Sequence, residues 1–148
     1  MGSGERKGTV RVITMTKVSS LSKGIEAARL VASFSDRHKH KMGSVITDKN
    51  NNIISMGCNS TKSHPIQYHY AKHINNKKIY LHAEISSIIK LNNKQSSKPY
   101  RLFVTRLLAN GNISMSKPCP ICLAAIIEVG IKEIIYTDSN GIIRRIKL

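Results

Sequence analysis

The chain has few aromatic residues and no long apolar run. Its 148 residues include no tryptophan, and aromatic residues make up 5% of them. This weakens the case for a surface that binds nucleic acid mainly by stacking on bases. No stretch approaches the roughly 18 apolar residues that a membrane-spanning helix needs, and the N-terminus lacks the apolar core of a secretory signal. We therefore expect a soluble, cytoplasmic protein.

Cysteine is also scarce, with three residues in the chain. Two of them, Cys119 and Cys122, form one Cys-x-x-Cys, so no disulfide framework is indicated and a reducing compartment is favoured. The third, Cys58, lies in an apolar strand pattern. We expect it to be a buried, inert thiol and not a metal ligand.

Acidic residues number 8 against 24 lysines and arginines, which gives a formal net charge of +16. A charge of this size favours an anionic partner, because it speeds the encounter with phosphate groups and supports nonspecific binding to nucleic acid. The alternative is a solvated surface that reflects only a lysine- and asparagine-rich composition.

The length fits one domain, and a hydrophobic content of 41% is enough to fill one core. Residues 1–21 are small, basic and hydroxylated, and we expect a disordered or tag-derived segment there. The folded domain is expected over 22–148. The polar stretch 60–80 is expected to be a long connection, of the kind that is functional or disordered.

Apolar periodicity predicts three helices, over 22–36 and beginning near residues 82 and 118. Five strands are predicted at 42–47, 53–58, 102–107, 131–137 and 142–148, and a further short strand at 9–14. Asn140-Gly141 between the last two runs is a hairpin signal, so those strands should be antiparallel. This order predicts an α/β fold in which a mixed sheet carries helices on its faces.

Two short motifs carry the chemistry. His82 precedes Glu84 by two residues, and Pro118-Cys119 precedes Cys122 at Cys-x-x-Cys spacing. One imidazole and two thiolates are ligands that zinc prefers, and three protein ligands leave a fourth position open, as in catalytic sites. A closed structural zinc site would need a fourth ligand.

These residues match the pattern H-x-E…P-C-x-x-C, and the chain resembles the deoxycytidylate, tRNA-adenosine and polynucleotide cytidine deaminases of the cytidine deaminase-like superfamily. The resemblance covers roughly residues 22–142. It implies a three-layer α/β/α fold with about five strands, and a zinc ion bound by His82, Cys119 and Cys122. It also implies hydrolytic deamination of cytosine or adenine, with Glu84 moving the protons.

The resemblance implies substrate contacts as well. The asparagine of Gly57-Cys58-Asn59 matches one that contacts the sugar, and the amide of Ala83 and the carbonyl of Ser116 or Lys117 match partners of the base edge. In 60–80, Lys62 or His64 is a candidate contact for a nucleotide phosphate. The histidines of this stretch could instead bind a second zinc ion, as in some deoxycytidylate deaminases; they are His64, His69 and His73.

The substrate is less well defined than the chemistry. A free (deoxy)cytidine nucleotide is favoured by the resemblance around Asn59, whereas the net charge favours cytosine in single-stranded DNA or RNA. Adenosine in tRNA is a further alternative, and so is a basic nucleic-acid-binding module in which zinc is only structural. The superfamily often assembles through its helices, so a homo-oligomer is also considered.

Overall fold

The computed structural model describes residues 17–71, 80–91 and 97–148. Its helices are α1 (Leu21–Ala32), α2 (Pro65–Ala71), α3 (Ala83–Ile89) and α4 (Pro120–Glu128). Its strands are β1 (Lys41–Thr47), β2 (Ile53–Cys58), β3 (Arg101–Leu107), β4 (Ile113–Ser114), β5 (Glu133–Thr137) and β6 (Ile143–Lys147). The strand predicted at 9–14 lies outside the described residues.

The strands form one mixed sheet in the order β2-β1-β3-β5-β6. β3 and β5 are parallel, and the other pairs in this order are antiparallel. The predicted hairpin between the last two strands is confirmed, with Gly141 at a φ of 77° in the turn. The two-residue strand β4 was not predicted, and it pairs with the end of β3.

Helices cover both faces of the sheet, which confirms the three-layer α/β/α fold. Successive side chains of a strand point to opposite faces. On β1, Val45 packs into the cluster under α1, whereas Ile46 packs into the cluster under α3 and α4. On β5, Ile135 packs into the cluster under α1 and Ile134 into the cluster under α3 and α4. The sheet therefore has a core on each side.

The first helix is shorter than predicted, since it ends at Ala32 instead of residue 36. Its start is fixed by Ser20, whose hydroxyl accepts a hydrogen bond from the amide of Lys23 at 3.2 Å. After its end, the amides of Phe34 and Ser35 bond to carbonyls three residues earlier, and the hydroxyl of Ser35 donates to the carbonyl of Asn59 at 2.8 Å. This long-range bond draws the chain away from the helix axis.

The stretch 60–80 is not a continuous polar connection as predicted, because it contains α2. The helix begins at Pro65, a residue tolerated in the first helical position, and the ring Nδ1 of His64 accepts the amide hydrogen of Ile66 at 3.1 Å. The sequence lacks apolar periodicity here, so the pattern that indicates a helix was missing.

Packing reaches to the start of the described chain. Val18 is 3% exposed and belongs to the core under α1, and its amide donates to the carbonyl of Asn51 at 2.9 Å. Ordered contacts thus begin before residue 22, while the division into segments 1–21 and 22–148 stays a prediction. Within the described ranges, none of the helices is long and apolar enough to cross a membrane.

Gly57 on β2 allows α3 to approach the sheet closely. A Cβ atom at this position would lie 2.5 Å from the backbone nitrogen of Ser87 and 2.6 Å from the hydroxyl of Ser86. Any other side chain would therefore displace either the strand or the helix. This close contact fixes the position of α3, whose N-terminus carries His82.

Candidate metal and substrate site

Three predicted ligands converge from two helix N-termini. His82 is the N-cap residue of α3 and Cys119 that of α4, while Cys122 lies in the first turn of α4. Nδ1 of His82 is 3.2 Å from Sγ of Cys122 and 3.5 Å from Sγ of Cys119. Neither N-cap side chain makes a capping hydrogen bond, because both face this cluster.

The spacing of the cluster fits a zinc ion. The ligand atoms of His82, Cys119 and Cys122 all lie within 4.8 Å of one another. Tetrahedral zinc, with bonds of about 2.3 Å to sulfur and about 2.0 Å to nitrogen, separates such ligand atoms by about 3.5 Å. The observed nitrogen–sulfur distances agree with this geometry.

Glu84 lies beside the cluster as a buried carboxyl group. It is 2% exposed, and its Oε1 has no hydrogen-bond partner among the described residues. Burial raises the pKa of Glu84 to about 6, because the charged form loses its hydration. A buried carboxyl with a free oxygen and a pKa near neutrality is suited to taking up and releasing protons.

The two thiols have opposite protonation tendencies in this arrangement. The hydrogen bond from Cys122 lowers the pKa of Cys119 to about 4. The same bond, together with burial, raises the pKa of Cys122 well above its usual value. These opposite shifts favour a thiolate at Cys119, and the thiolate is the form that zinc binds.

A cavity of about 370 Å³ opens beside His82. Its walls come from the α1–β1 connection, the end of β2, the chain before α3, and β3. The lining residues are Arg37, His40, Met42, Asn59, Tyr80, Leu81, His82 and Arg106. No acidic residue is among them, so the cavity is a positively charged environment beside the cluster.

Two arginines give the cavity its charge. Arg37 lies with its guanidinium carbon 4.5 Å from the ring centre of Tyr80, a cation–π contact. Arg106 donates to Nδ1 of His40, and its charge lowers the pKa of His40. Within the described ranges neither arginine is in an ion pair, and Nε of Arg106 is buried without a hydrogen bond.

Asn59 borders the cavity, but most of its side chain is already engaged. Its Oδ1 accepts from the hydroxyl of Ser35 at 2.6 Å and from the amide of Met42 at 2.9 Å. Its Nδ2 donates to the carbonyl of His40 at 2.8 Å. An amide nitrogen has two hydrogens, so one remains to donate to a ligand.

The other predicted contacts are placed differently. Ala83 is the first residue of α3, so its amide has no acceptor within the helix. Ser116 is 1% exposed and its hydroxyl donates to the carbonyl of Val104 at 2.9 Å, which leaves only its backbone for a substrate. Lys117, Lys62 and His64 do not line the cavity.

A second metal site is not formed by the described part of 60–80. The cluster of His82, Cys119 and Cys122 is the one such group of potential metal ligands in the described ranges. His64 accepts the first-turn amide of α2 as described above, and His73 lies outside those ranges.

Sequence reasoning missed the cationic residues of the cavity. Arg37 and His40 fall between the helix predicted over 22–36 and the strand predicted at 42–47, Arg106 falls in the strand predicted at 102–107, and none was singled out for function. Tyr80 lies two residues before His82, but one tyrosine beside a polar stretch gives no signal. The one available signal is the two-residue period of β3, which places Arg106 on the same face as Leu102 and Val104, the face that α3 and α4 cover.

Comparison with known proteins agrees with this geometry. The family model for the cytidine and deoxycytidylate deaminase zinc-binding region matches residues 18–138. A search of curated proteins by sequence found no match.

Solved structures share the fold. Cytidine deaminase from Burkholderia pseudomallei is 16% identical, with a TM-score of 0.62 over 86% of this chain and 92% of that one. Cytidine deaminase from Mycobacterium leprae is 17% identical, with a TM-score of 0.57 over 86% and 94% of the two chains. With most of its length matched by the family model, the chain belongs to the cytidine and deoxycytidylate deaminase family and is a zinc-dependent hydrolytic deaminase.

Proposed function

We propose that the chain deaminates the cytosine of a free cytidine or deoxycytidine nucleotide, leaving uracil and ammonia. The observation that carries this proposal is the cavity beside His82, which is bordered by two arginines without ion pairs among the described residues. A nucleoside offers no anion to such a pair. A nucleotide phosphate does, and arginine binds phosphate with charge-assisted hydrogen bonds.

The size of the cavity supports a free nucleotide over a polymer. About 370 Å³ falls in the range of roughly 300–1,000 Å³ typical of small-molecule sites. In this proposal Arg37 and Arg106 bind the phosphate, and the remaining N–H of Asn59 donates to a sugar hydroxyl. Lys62, which is exposed, adds a peripheral cation, and His64 contributes less because its Nδ1 caps α2.

The proton transfers are assigned to Glu84. A zinc ion would be held by His82, Cys119 and Cys122, and it would lower the pKa of a bound water toward 7 and so supply hydroxide at neutral pH. The carboxylate of Glu84 takes the proton that the water gives up and delivers it to N3 of the ring. When the water oxygen has bonded to C4, Glu84 takes the proton of the resulting C4 hydroxyl and passes it to the amino group. The C4–N bond then breaks, ammonia leaves, and the oxygen stays on the ring as the carbonyl.

The base edge is held by backbone groups in this proposal. The free amide of Ala83 donates to the carbonyl oxygen of the pyrimidine, and the carbonyl of Ser116 or Lys117 accepts from the amino group. These backbone contacts would recognise cytosine by the positions of its hydrogen-bond donor and acceptor, without a contribution from any side chain.

Cytosine in single-stranded DNA or RNA is the second candidate. The net charge of +16 favours it, and so does the half-exposed ring of Tyr80, since polymers are bound by basic grooves with aromatic rings. Adenosine in tRNA remains a third.

Parallel assays of ammonia release test the proposal. The holoenzyme is incubated with dCMP, deoxycytidine, a cytosine-containing single strand and a tRNA anticodon stem. We expect the highest kcat/KM with dCMP. We expect Glu84→Ala to release no ammonia from any of the four substrates. Conversion of the strand alone would refute the free-nucleotide proposal, and equal conversion of dCMP and deoxycytidine would refute the phosphate contact.

A further inference from the structure

Gln67 on α2 is buried in a way that its neighbours are not. It is 0% exposed, whereas Pro65, Ile66 and His69 on the same helix are exposed. An uncharged amide is costly to bury and an isoleucine is not, so this is the reverse of the usual distribution. The buried amide therefore needs a specific partner.

That partner is the backbone of the proposed zinc ligand His82. Oε1 of Gln67 accepts from the amide nitrogen of His82 at 3.0 Å. Nε2 of Gln67 is buried and has no hydrogen-bond partner among the described residues. The acceptor oxygen is thus the atom through which Gln67 acts on the site.

The first turn of α3 does not itself supply an acceptor for this amide. At many helix starts a Glu or Gln three residues into the helix reaches back to the N-cap amide. In α3 that position is Ile85, which has no acceptor. The ring of His82 faces the thiols, so it does not cap its own helix either.

Leu81, directly before His82, makes two backbone hydrogen bonds. The amide of Leu81 donates to the carbonyl of Lys62 at 3.0 Å, and the carbonyl of Leu81 accepts from Ser60 at 2.9 Å. Gln67 adds the next fixed point along the chain. The helix that carries Gln67 packs against α3 and also against α4, which bears Cys119 and Cys122.

We propose that Gln67 is a positioning residue, which fixes the backbone of His82 so that its ring meets the two thiols in the geometry that zinc requires. The inference rests on the proposed role of His82 as a ligand. Groups that orient metal ligands typically change metal affinity 10- to 100-fold when they are mutated. Through this bond, α2 becomes part of the metal centre.

A matched pair of substitutions tests the acceptor. Gln67→Met keeps the length of the side chain and removes the acceptor, while Gln67→Glu keeps an acceptor oxygen. Zinc affinity of the holoenzyme is measured by competition with a chelator. We expect about 10- to 100-fold weaker zinc binding for Gln67→Met, substantial rescue by Gln67→Glu, and a fall in kcat with little change in KM for the zinc-loaded variants.

Controls separate positioning from folding. Ile66→Ala, an exposed change on the same helix, should leave zinc affinity at the wild-type value. If Gln67→Met does not fold, Gln67→Asn replaces it, since Asn keeps the amide but withdraws the acceptor by one methylene. Wild-type zinc affinity in the folded variant overturns the inference.

His82→Ala distinguishes this failure from failure of the proposed site. If His82→Ala loses zinc and the Gln67 variant does not, only the positioning role is wrong. If His82→Ala retains wild-type affinity, the ligand assignment and the inference both fail.

Discussion

Ser44 of β1 donates a hydrogen bond to the carbonyl oxygen of Ala83, at the first turn of α3, over 2.7 Å. Both residues are 0% exposed. The bond connects the centre of the sheet to the turn that carries His82 and Glu84. We expect Ser44→Ala to lower the free energy of unfolding by about 1 kcal/mol and also to lower kcat. Urea unfolding and steady-state kinetics measure the two effects.

Ser55→Ala is the control for this prediction. The hydroxyl of Ser55 donates to the carbonyl of Ser87, later in the same helix, at 2.5 Å. Its loss should destabilise the fold by a similar amount with a smaller effect on kcat. Equal losses of kcat in the two variants would show that the position of the first turn does not depend on Ser44.

Gly57→Ala should displace α3. The added carbon would lie 2.5 Å from the backbone nitrogen of Ser87, and backbone cannot rotate away as a side chain can. We expect a loss of about 1–3 kcal/mol in the free energy of unfolding, as for overpacked cores, and weaker zinc binding. The adjacent Cys58→Ala is the control: it should keep the wild-type zinc content, since Cys58 is predicted to be no ligand. Loss of zinc in Cys58→Ala would contradict that prediction.

Removing one cavity arginine should lower activity on a nucleotide much more than activity on a nucleoside. We expect Arg37→Gln and Arg106→Gln each to lower kcat/KM for dCMP about 10- to 100-fold, because a charge-assisted contact contributes about 1.5–3 kcal/mol. Deoxycytidine should be affected little. Arg29→Gln makes the same charge change at an arginine that is paired with Glu26 outside the cavity. It should change kcat/KM little for either substrate. A uniform effect of the cavity variants on both substrates would argue against phosphate binding.

Asp48 should make the fold sensitive to acid. Burial raises its pKa, but hydrogen bonds from Asn52 and Asn50 outweigh this effect and lower the pKa below its usual value. A lowered pKa stabilises the folded state above the unfolded pKa of about 3.9, and that contribution is lost as the pH falls through the folded value. Asp48→Asn should therefore be less stable than the wild type by about 1 kcal/mol at pH 7, and the gap should narrow below about pH 4. Urea unfolding at several pH values measures it; a gap that stays constant would contradict the prediction.

The sequence was sufficient for the elements with regular apolar spacing and for the two motifs. Ile85 and Ile88 recur on one face of α3, and the strand runs alternate or are continuously apolar, so their burial follows from pattern alone. The convergence of the three candidate ligands could be predicted because both motifs begin helices, where two short patterns bring three side chains together. The cationic and aromatic residues of the cavity could not. Arg37, Tyr80 and Arg106 come from separate elements, and their convergence depends on how the chain crosses the sheet.

The missing helix has a similar cause. α2 is held by Gln67, a polar residue, and its exposed side includes Ile66, so its burial pattern is the inverse of the one that sequence reading recognises. Such a helix is stabilised by its contacts with α3 and α4 more than by its own sequence.

Among the described strands, β6 forms one edge of the sheet, and three of its five residues are exposed cations: Arg144, Arg145 and Lys147. An open strand edge offers unpaired backbone groups to any neighbouring chain, which can lead to aggregation. Arg144 and Arg145 are in ion pairs with Asp138 and Glu133, but charged side chains along an edge still oppose the pairing of two such edges. The basic composition of the chain therefore also disfavours edge-to-edge strand pairing at β6.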